Sequence, residues 1–227
     1  KHTDCFLKFY RKIICGYRGR EFYNDIEYGS AYHHFRETLA LTKDPDKAVI
    51  EAQQYFLAKQ QDKNFVFKSK KEWLNVAHLT VTCKTYLDKY GIGPSYGDFN
   101  PLVVDGKPLV EQTFAIPFYS DEQLDILLCG TIDEIGKLEN GCYAICDDKT
   151  TSSWNRESYL AEHKMKAQLR FYVYAIHQLA KLYPDSIFAE MAQQRIGAAI
   201  NGVFLSASKQ TEFKRSDFFF YKQEDMD

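Results

Sequence analysis

No stretch of this 227-residue chain approaches the roughly 20 consecutive apolar residues that a membrane-spanning helix needs. No secretory leader is visible either, so the expectation is a soluble, intracellular protein with no membrane partner. The six cysteines, at 5, 15, 83, 129, 142 and 146, include no C-x-x-C pair. They read as reduced thiols, and the last three fall in apolar strand-like runs where Cys behaves as a small buried hydrophobe. An excess of charge of one sign is also missing, since 29 basic residues meet 31 acidic ones for a net charge of −2. That argues against a general polyanion binder but permits a local basic groove. Internal repeats and low-complexity linkers are absent too, and one domain over residues 1–227 is the simplest organisation.

What the chain does contain is a concentrated signal at residues 130–150, GTIDEIGKLENGCYAICDDKT. Two apolar strand patterns run into carboxylates there, at Asp133 and at Asp147-Asp148-Lys149. Side chains alternate along a strand, so Asp147 and Lys149 share one face and Asp148 takes the other. A strand apolar on both faces is usually central, and ionised groups in it are costly to desolvate unless they pair or bind a cation. Register decides whether Asp133 joins Asp147. An even-sized loop turns Asp147 away, whereas an odd-sized one sets it opposite residue 131, diagonal to Asp133 at about 7–8 Å between backbones. The odd register is expected, with both carboxylates reaching one metal or a close metal pair.

The pattern resembles the PD-(D/E)XK nuclease superfamily, and within it the RecB-like exonuclease branch. Gly130 and Asp133 fit its G-x-x-D, Asp147, Lys149 and Thr150 its (D/E)-x-K-T, and Gln168 and Tyr172 the Q-x-x-x-Y of the next helix. Gly29 and His33 match an upstream G-x-x-x-H, and DCFLKFYRKIICG looks like the family's N-terminal segment. Each motif alone is a weak match, and order with spacing makes the set specific. The resemblance implies a mixed central β-sheet flanked by helices, an α/β restriction-endonuclease-like core. It also implies a metal-dependent DNA nuclease, an exonuclease on single strands or duplex ends, hydrolysing phosphodiesters with a metal-activated water.

Residue by residue, the resemblance makes Asp133 and Asp147 ligands of Mg²⁺ or Mn²⁺, with the peptide carbonyl of Asp148 as a further ligand. His33 adds a nitrogen donor that favours Mn²⁺, and its spacing from Gly29 selects it over His34. Lys149 orients or deprotonates the attacking water and neutralises charge on the phosphate. Gln168 and Tyr172, four apart on one helix, reach a nucleic-acid strand, with Arg170 and an early cluster of Lys8, Arg11, Lys12, Arg18 and Arg20 beside Phe9 and Tyr10 gripping it. Glu111 is an additional acid, since some relatives recruit a carboxylate there. Against these stand blander accounts: salt-bridged strand-end aspartates, a core Tyr172, an exposed strand end at Glu111. Some RecB-like nucleases hold an iron–sulfur cluster on one early cysteine and three beyond the Q-x-x-x-Y helix. Cys5 matches the first, but no cysteine follows Cys146, so no such cluster is expected.

An endonuclease subunit, or a catalytically weak nucleic-acid-binding module, is the alternative. Implied surroundings are the cytoplasm of a bacterium or a phage-infected host, with recombination or replication proteins as partners. Along the chain, helices are expected at 30–43, 47–61, 70–90 and 158–182, and GIGPSYGDFNP as loop. Strands at 109–118, 124–135 and 142–148 form a three-stranded meander, and later ones fall at 198–205 and 212–221. Residues 1–100 are then a mainly helical elaboration and 109–221 the nuclease core.

Overall fold

The computed structural model describes residues 21–164 and 167–221. In chain order its elements are β1 (Phe22–Tyr23), α1 (Asn24–Thr42), α2 (Pro45–Gln60), β2 (Phe65–Val66), α3 (Val76–Tyr90), β3 (Phe99–Pro101), β4 (Val103–Val104), β5 (Lys107–Pro108), β6 (Val110–Ser120), β7 (Asp125–Leu138) and β8 (Tyr143–Thr151). There follow α4 (Arg156–Lys164), α5 (Ala167–Leu182), α6 (Ile187–Ala192), β9 (Ile196–Phe204), β10 (Glu212–Arg215) and β11 (Phe219–Tyr221). Cys5 and the early basic and aromatic cluster lie outside the described residues.

The main sheet is mixed, ordered β10-β9-β8-β7-β3, with β6 also on β7 and β11 also on β9. Strands β6, β7 and β8 form the expected antiparallel meander. Strand β8 then pairs in parallel with β9 across the α4–α6 connection. Helices cover both faces, as the α/β expectation requires. On one side Leu169, Val173 and Ile176 of α5 pack on Ile132, Ile145 and Ile200. On the other, Tyr28, Tyr32 and Phe35 of α1 join Phe56, Leu79, Tyr86 and Phe213. A fully buried side chain of this size contributes about 1.5–3 kcal/mol, so these two layers are what hold the helices to the sheet.

Local chemistry moves several boundaries. Helix α1 starts six residues before the expected position because Asn24 binds outward, accepting from Lys68 N at 2.9 Å and donating to Lys71 O at 2.7 Å. Gly29 is therefore interior to α1, and its missing Cβ would meet Thr150 Oγ1 at 3.0 Å. The glycine lets α1 approach β8 closely. Helix α2 begins as its Asp44-Pro45 punctuation suggests, Asp44 accepting from Lys47 N at 2.9 Å. The third helix is shorter than expected, since Lys70 sits at φ 66° and Asn75 caps α3 by accepting from His78 N. A residue with a Cβ in that left-handed region cannot continue a helix. The predicted loop at 91–101 ends in strand β3, where Phe99 pairs with Leu138. The helix expected at 158–182 is seen as α4 and α5 on either side of residues outside the described set, and the final strand falls into β10 and β11, both on β9. Cys146 is buried as expected, but Cys129 is exposed and Cys142 half-buried, because β7 continues past the sheet and Cys142 closes a turn.

Arg36 binds α1 to the sheet. Its guanidinium pairs with Glu134 of β7, lies 3.5 Å from Asp148 Oδ2 of β8, donates to Ser95 Oγ at 2.5 Å and stacks 4.4 Å over Tyr86. Arg36, Glu134 and Asp148 are all nearly inaccessible to water. Removing one member of a buried ionic network leaves the others uncompensated, whereas removing both partners of a pair together is milder. Arg36→Met should therefore lower unfolding free energy by about 3–5 kcal/mol. Urea unfolding should show a smaller loss for Arg36→Met with Glu134→Leu than for Arg36→Met alone, and an equal or larger loss would mean the pair is not what binds α1 down.

Candidate functional site

The β6–β7–β8 meander sets three carboxylates in a row. Between the pairs Val110–Glu134 and Gln112–Ile132, Glu111 falls opposite Asp133. The β7–β8 ladder ends at Glu134–Cys146, and Asp133 and Asp147 are the next residues on their strands. The register carries on past the strands to Leu138 and Cys142, where Leu138 N donates to Cys142 O at 3.0 Å, so three residues, Glu139 to Gly141, lie between them, an odd number as expected, with Gly141 at φ 84° allowing the tight turn. The register differs by two residues from the expected diagonal: Asp133 faces position 147 rather than 145. Alternation also holds, with Asp147 toward Lys149 and Gln168 and Asp148 toward Arg36 on the opposite face.

Helix α1 supplies His33, whose Nδ1 lies 3.1 Å from Glu111 Oε1 and 3.4 Å from Asp133 Oδ2. His34, about 100° round the helix, turns instead to Glu37 and the Tyr55 ring. One ligand atom from each of His33, Glu111 and Asp133 lies within 4.8 Å of the other two. Glu111 is held at φ 48°, a conformation that costs a residue with a Cβ roughly 1–2 kcal/mol. Asp147 is not part of that 4.8 Å cluster. Its carboxylate is drawn to Lys149 Nζ at 2.5 Å and accepts from Gln168 Nε2 at 3.1 Å. The same Gln168 amide bonds the Tyr172 hydroxyl at 2.7 Å. Asp133 and Asp147 thus stand at facing positions, Asp133 within the His33–Glu111–Asp133 cluster and Asp147 beside it in an ion pair with Lys149.

Asp148 reaches the site through its backbone, donating its N–H to Asp133 Oδ2 at 2.7 Å. Gly130, opposite Phe114 in the ladder, leaves room for that ring, since an added Cβ would lie 2.7 Å from it. Phe114 in turn packs on Phe171 and Tyr172, which seats α5 over the site. Arg170 is exposed, two residues and therefore about 200° round α5 from Gln168. Arg36, Glu134 and Ser95 behind the row went unnoticed in the sequence. The available signal was Glu134 itself, a second consecutive acid in an apolar strand and so in need of a buried cation.

Burial raises the pKa of Asp133 and of Asp147 well above or above the usual carboxylate range, although His33 opposes it at Asp133 and Lys149 at Asp147. Burial alone would lower His33, but its bond to Glu111 and the charges of Asp133 and Asp148 push it up to about 9. Lys149 is likewise raised, its desolvation outweighed by Asp147 and Asp133. Tyr172 is pushed up to about 12 by burial and by Asp147, so its phenol remains a donor. Two carboxylates and one imidazole converging in a largely desolvated row, with a third carboxylate adjacent, form an oxygen-rich donor set suited to a hard divalent cation.

A proton and a cation compete for such a site. Carboxylates with raised folded pKa hold protons that the unfolded chain releases near pH 4, so their contribution to stability falls as pH climbs through the folded value. A raised histidine contributes fully below its unfolded value near 6.5 and loses that contribution as pH climbs through about 9. Both work in the same direction: without metal this site's contribution to stability falls with rising pH, and a divalent cation would replace the lost protons. At about 100 times its dissociation constant, Mg²⁺ or Mn²⁺ should raise the melting temperature by roughly 5–10 °C near pH 8. The gain should be smaller at pH 6, and a gain independent of pH in differential scanning fluorimetry would place cation binding elsewhere.

A comparison with curated proteins returned no match to this chain. A family model described as the PD-(D/E)XK nuclease superfamily matches residues 1–222, which include the whole row of acids, Lys149 and the α5 helix above it. The chain belongs to the PD-(D/E)XK nuclease superfamily.

Proposed function

We propose that this protein is a RecB-like exonuclease that degrades DNA from single-stranded or duplex ends, built as one nuclease domain. Superfamily members are nucleases that use divalent metals, and the coarser part of this reading, a metal-dependent nuclease acting on nucleic acid, rests on membership itself. The observation that carries the rest is the row Glu111–Asp133–Asp147, with His33 at one end and Lys149 and Gln168 at the other. A pure binding module gains nothing from desolvated carboxylates that repel phosphate.

His33, Glu111, Asp133 and Asp147, with the Asp148 carbonyl, are the residues that would hold Mg²⁺ or Mn²⁺. When bound, the cation supplies positive charge to the scissile phosphate and its nucleophile. The imidazole supports Mn²⁺ over Mg²⁺. Lys149 is the charge partner for the phosphate: with its pKa raised beside Asp147 it stays an ammonium. That favours orienting water and neutralising phosphate oxygens over removing a proton. Gln168 and Tyr172 keep two donors next to Asp147, and a phosphate entering there can take both bonds in exchange. Arg170, exposed on the same helix, would touch the strand farther along, and recombination or replication proteins are the partners this activity suits.

Asp133→Ala or Asp147→Ala should reduce cleavage by about 10³-fold or more while the circular dichroism spectrum is unchanged. Lys149→Ala should lower kcat more than it raises KM, because its charge is needed most as the phosphate gains charge. With end-labelled linear DNA and a covalently closed circle of the same sequence, the linear form should disappear and the circle persist, at rates that fall steeply with salt. Rapid cutting of the circle would favour an endonuclease, and tight binding without cutting in Mg²⁺ or Mn²⁺ an inactive module.

A further inference from the structure

Strands β6 and β7 outrun the sheet. Strand β8 pairs with β7 only from Glu134 to Lys137, whereas β6 follows β7 to the tip, where Ser120 pairs with Asp125. Among the described residues the outer half of the hairpin is therefore a two-stranded ribbon, and its tip lies about 27 Å along the strand from Asp133 at 3.4 Å per residue. Residues 117–127 are all exposed. Among them Phe118 (62 %), Tyr119 (50 %), Leu124 (53 %), Ile126 (38 %) and Leu127 (54 %) form the densest group of exposed large apolar side chains among the described residues. The turn is nevertheless well built: Asp121 accepts from Gln123 N and Leu124 N at 2.8 Å each and from the Tyr119 hydroxyl at 2.7 Å.

An isolated ribbon is marginally stable, and both a long apolar tip and an unpaired strand edge invite association. Charge selects the occupant. Residues 112–132 contain no Lys, Arg or His, while Asp121, Glu122 and Asp125 surround the tip. Such a surface repels phosphate, so a nucleic-acid strand is disfavoured there. We propose that the β6–β7 ribbon is a docking arm for another protein, one that presents an apolar strand or groove bordered by lysine and arginine. Aromatic and aliphatic side chains would anchor the centre of that contact, and carboxylates would steer it.

The test uses the full chain and fluorescein-labelled, strand-forming peptides of alternating valine and lysine, with the valine–glutamate counterpart as control, read by anisotropy. Saturable binding of the lysine peptide is expected, weakened by added salt and by Glu122→Lys. Phe118→Ser combined with Leu127→Ser should weaken it by roughly tenfold or more. The double variant should keep its melting temperature and its divalent-cation shift, which separates loss of docking from loss of fold. Equal binding of the glutamate peptide, or indifference to the ribbon substitutions, would overturn the proposal. So would three other results: weaker binding of a single-stranded oligonucleotide by the double variant, which would make the ribbon a nucleic-acid arm; ribbon-dependent dimers in light scattering, which would make the partner a second copy; and slow hydrogen exchange of the ribbon in the isolated chain, which would mean that the chain itself covers it.

Discussion

Repulsion between like charges organises this molecule. Glu111, Asp133 and Asp147 sit at facing positions of three adjacent strands, where carboxylates would ordinarily drive the strands apart. Every element packed around the row brings something that offsets that repulsion. Helix α1 contributes His33, β8 contributes Lys149 and the Asp148 amide, and α5 contributes the Gln168 amide. The row is tolerated because neutralising groups converge on it from both helical layers, and it is left suited to one further cation.

A second charge problem lies behind the first and is solved differently. Glu134 and Asp148 alternate to the opposite face, into the layer between the sheet and α1, where no solvent reaches them. Arg36, Ser95 and the rings of Tyr86 and Tyr96 close around them. Because Arg36 is three residues beyond His33 on α1, nearly one helical turn, the same helix serves both faces of the meander. The position of His33 over Glu111 and Asp133 therefore depends on a salt bridge on the far side of the sheet, and the close approach of α1 at Gly29 depends on both.

The division of labour in the fold follows from these two clusters. Strand β9 is buried along its whole length and β8 up to Asp148, so Asp147 and Lys149 come where β8 leaves the core. The meander hairpin carries two of the acids at its base and leaves its distal half free of the sheet. The charged site at the base and the apolar tip are thus separated along one hairpin, and among the described residues the tip pairs with no strand but its own partner.

Periodicity and punctuation in the sequence determined the element types, the antiparallel meander, the alternation of Asp147 and Lys149 against Asp148, and the residues from which a metal site could be drawn. They did so because alternation along a strand and capping at a helix end are local properties, written in neighbouring residues. Helix α3 shows the limit: its apolar stripe extends back toward Lys70, but Lys70 turns left-handed and Asn24 donates to the Lys71 carbonyl across 47 positions of sequence. Register was the decisive quantity that local pattern left open by two residues, since loop parity sets which face Asp147 occupies but not which residue it faces. Only the tertiary structure placed Glu111 opposite Asp133 and brought Arg36 to Glu134 across 98 positions of sequence. Those contacts join residues whose proximity is decided by the packing of α1 on the sheet, and no local preference of the chain encodes that distance.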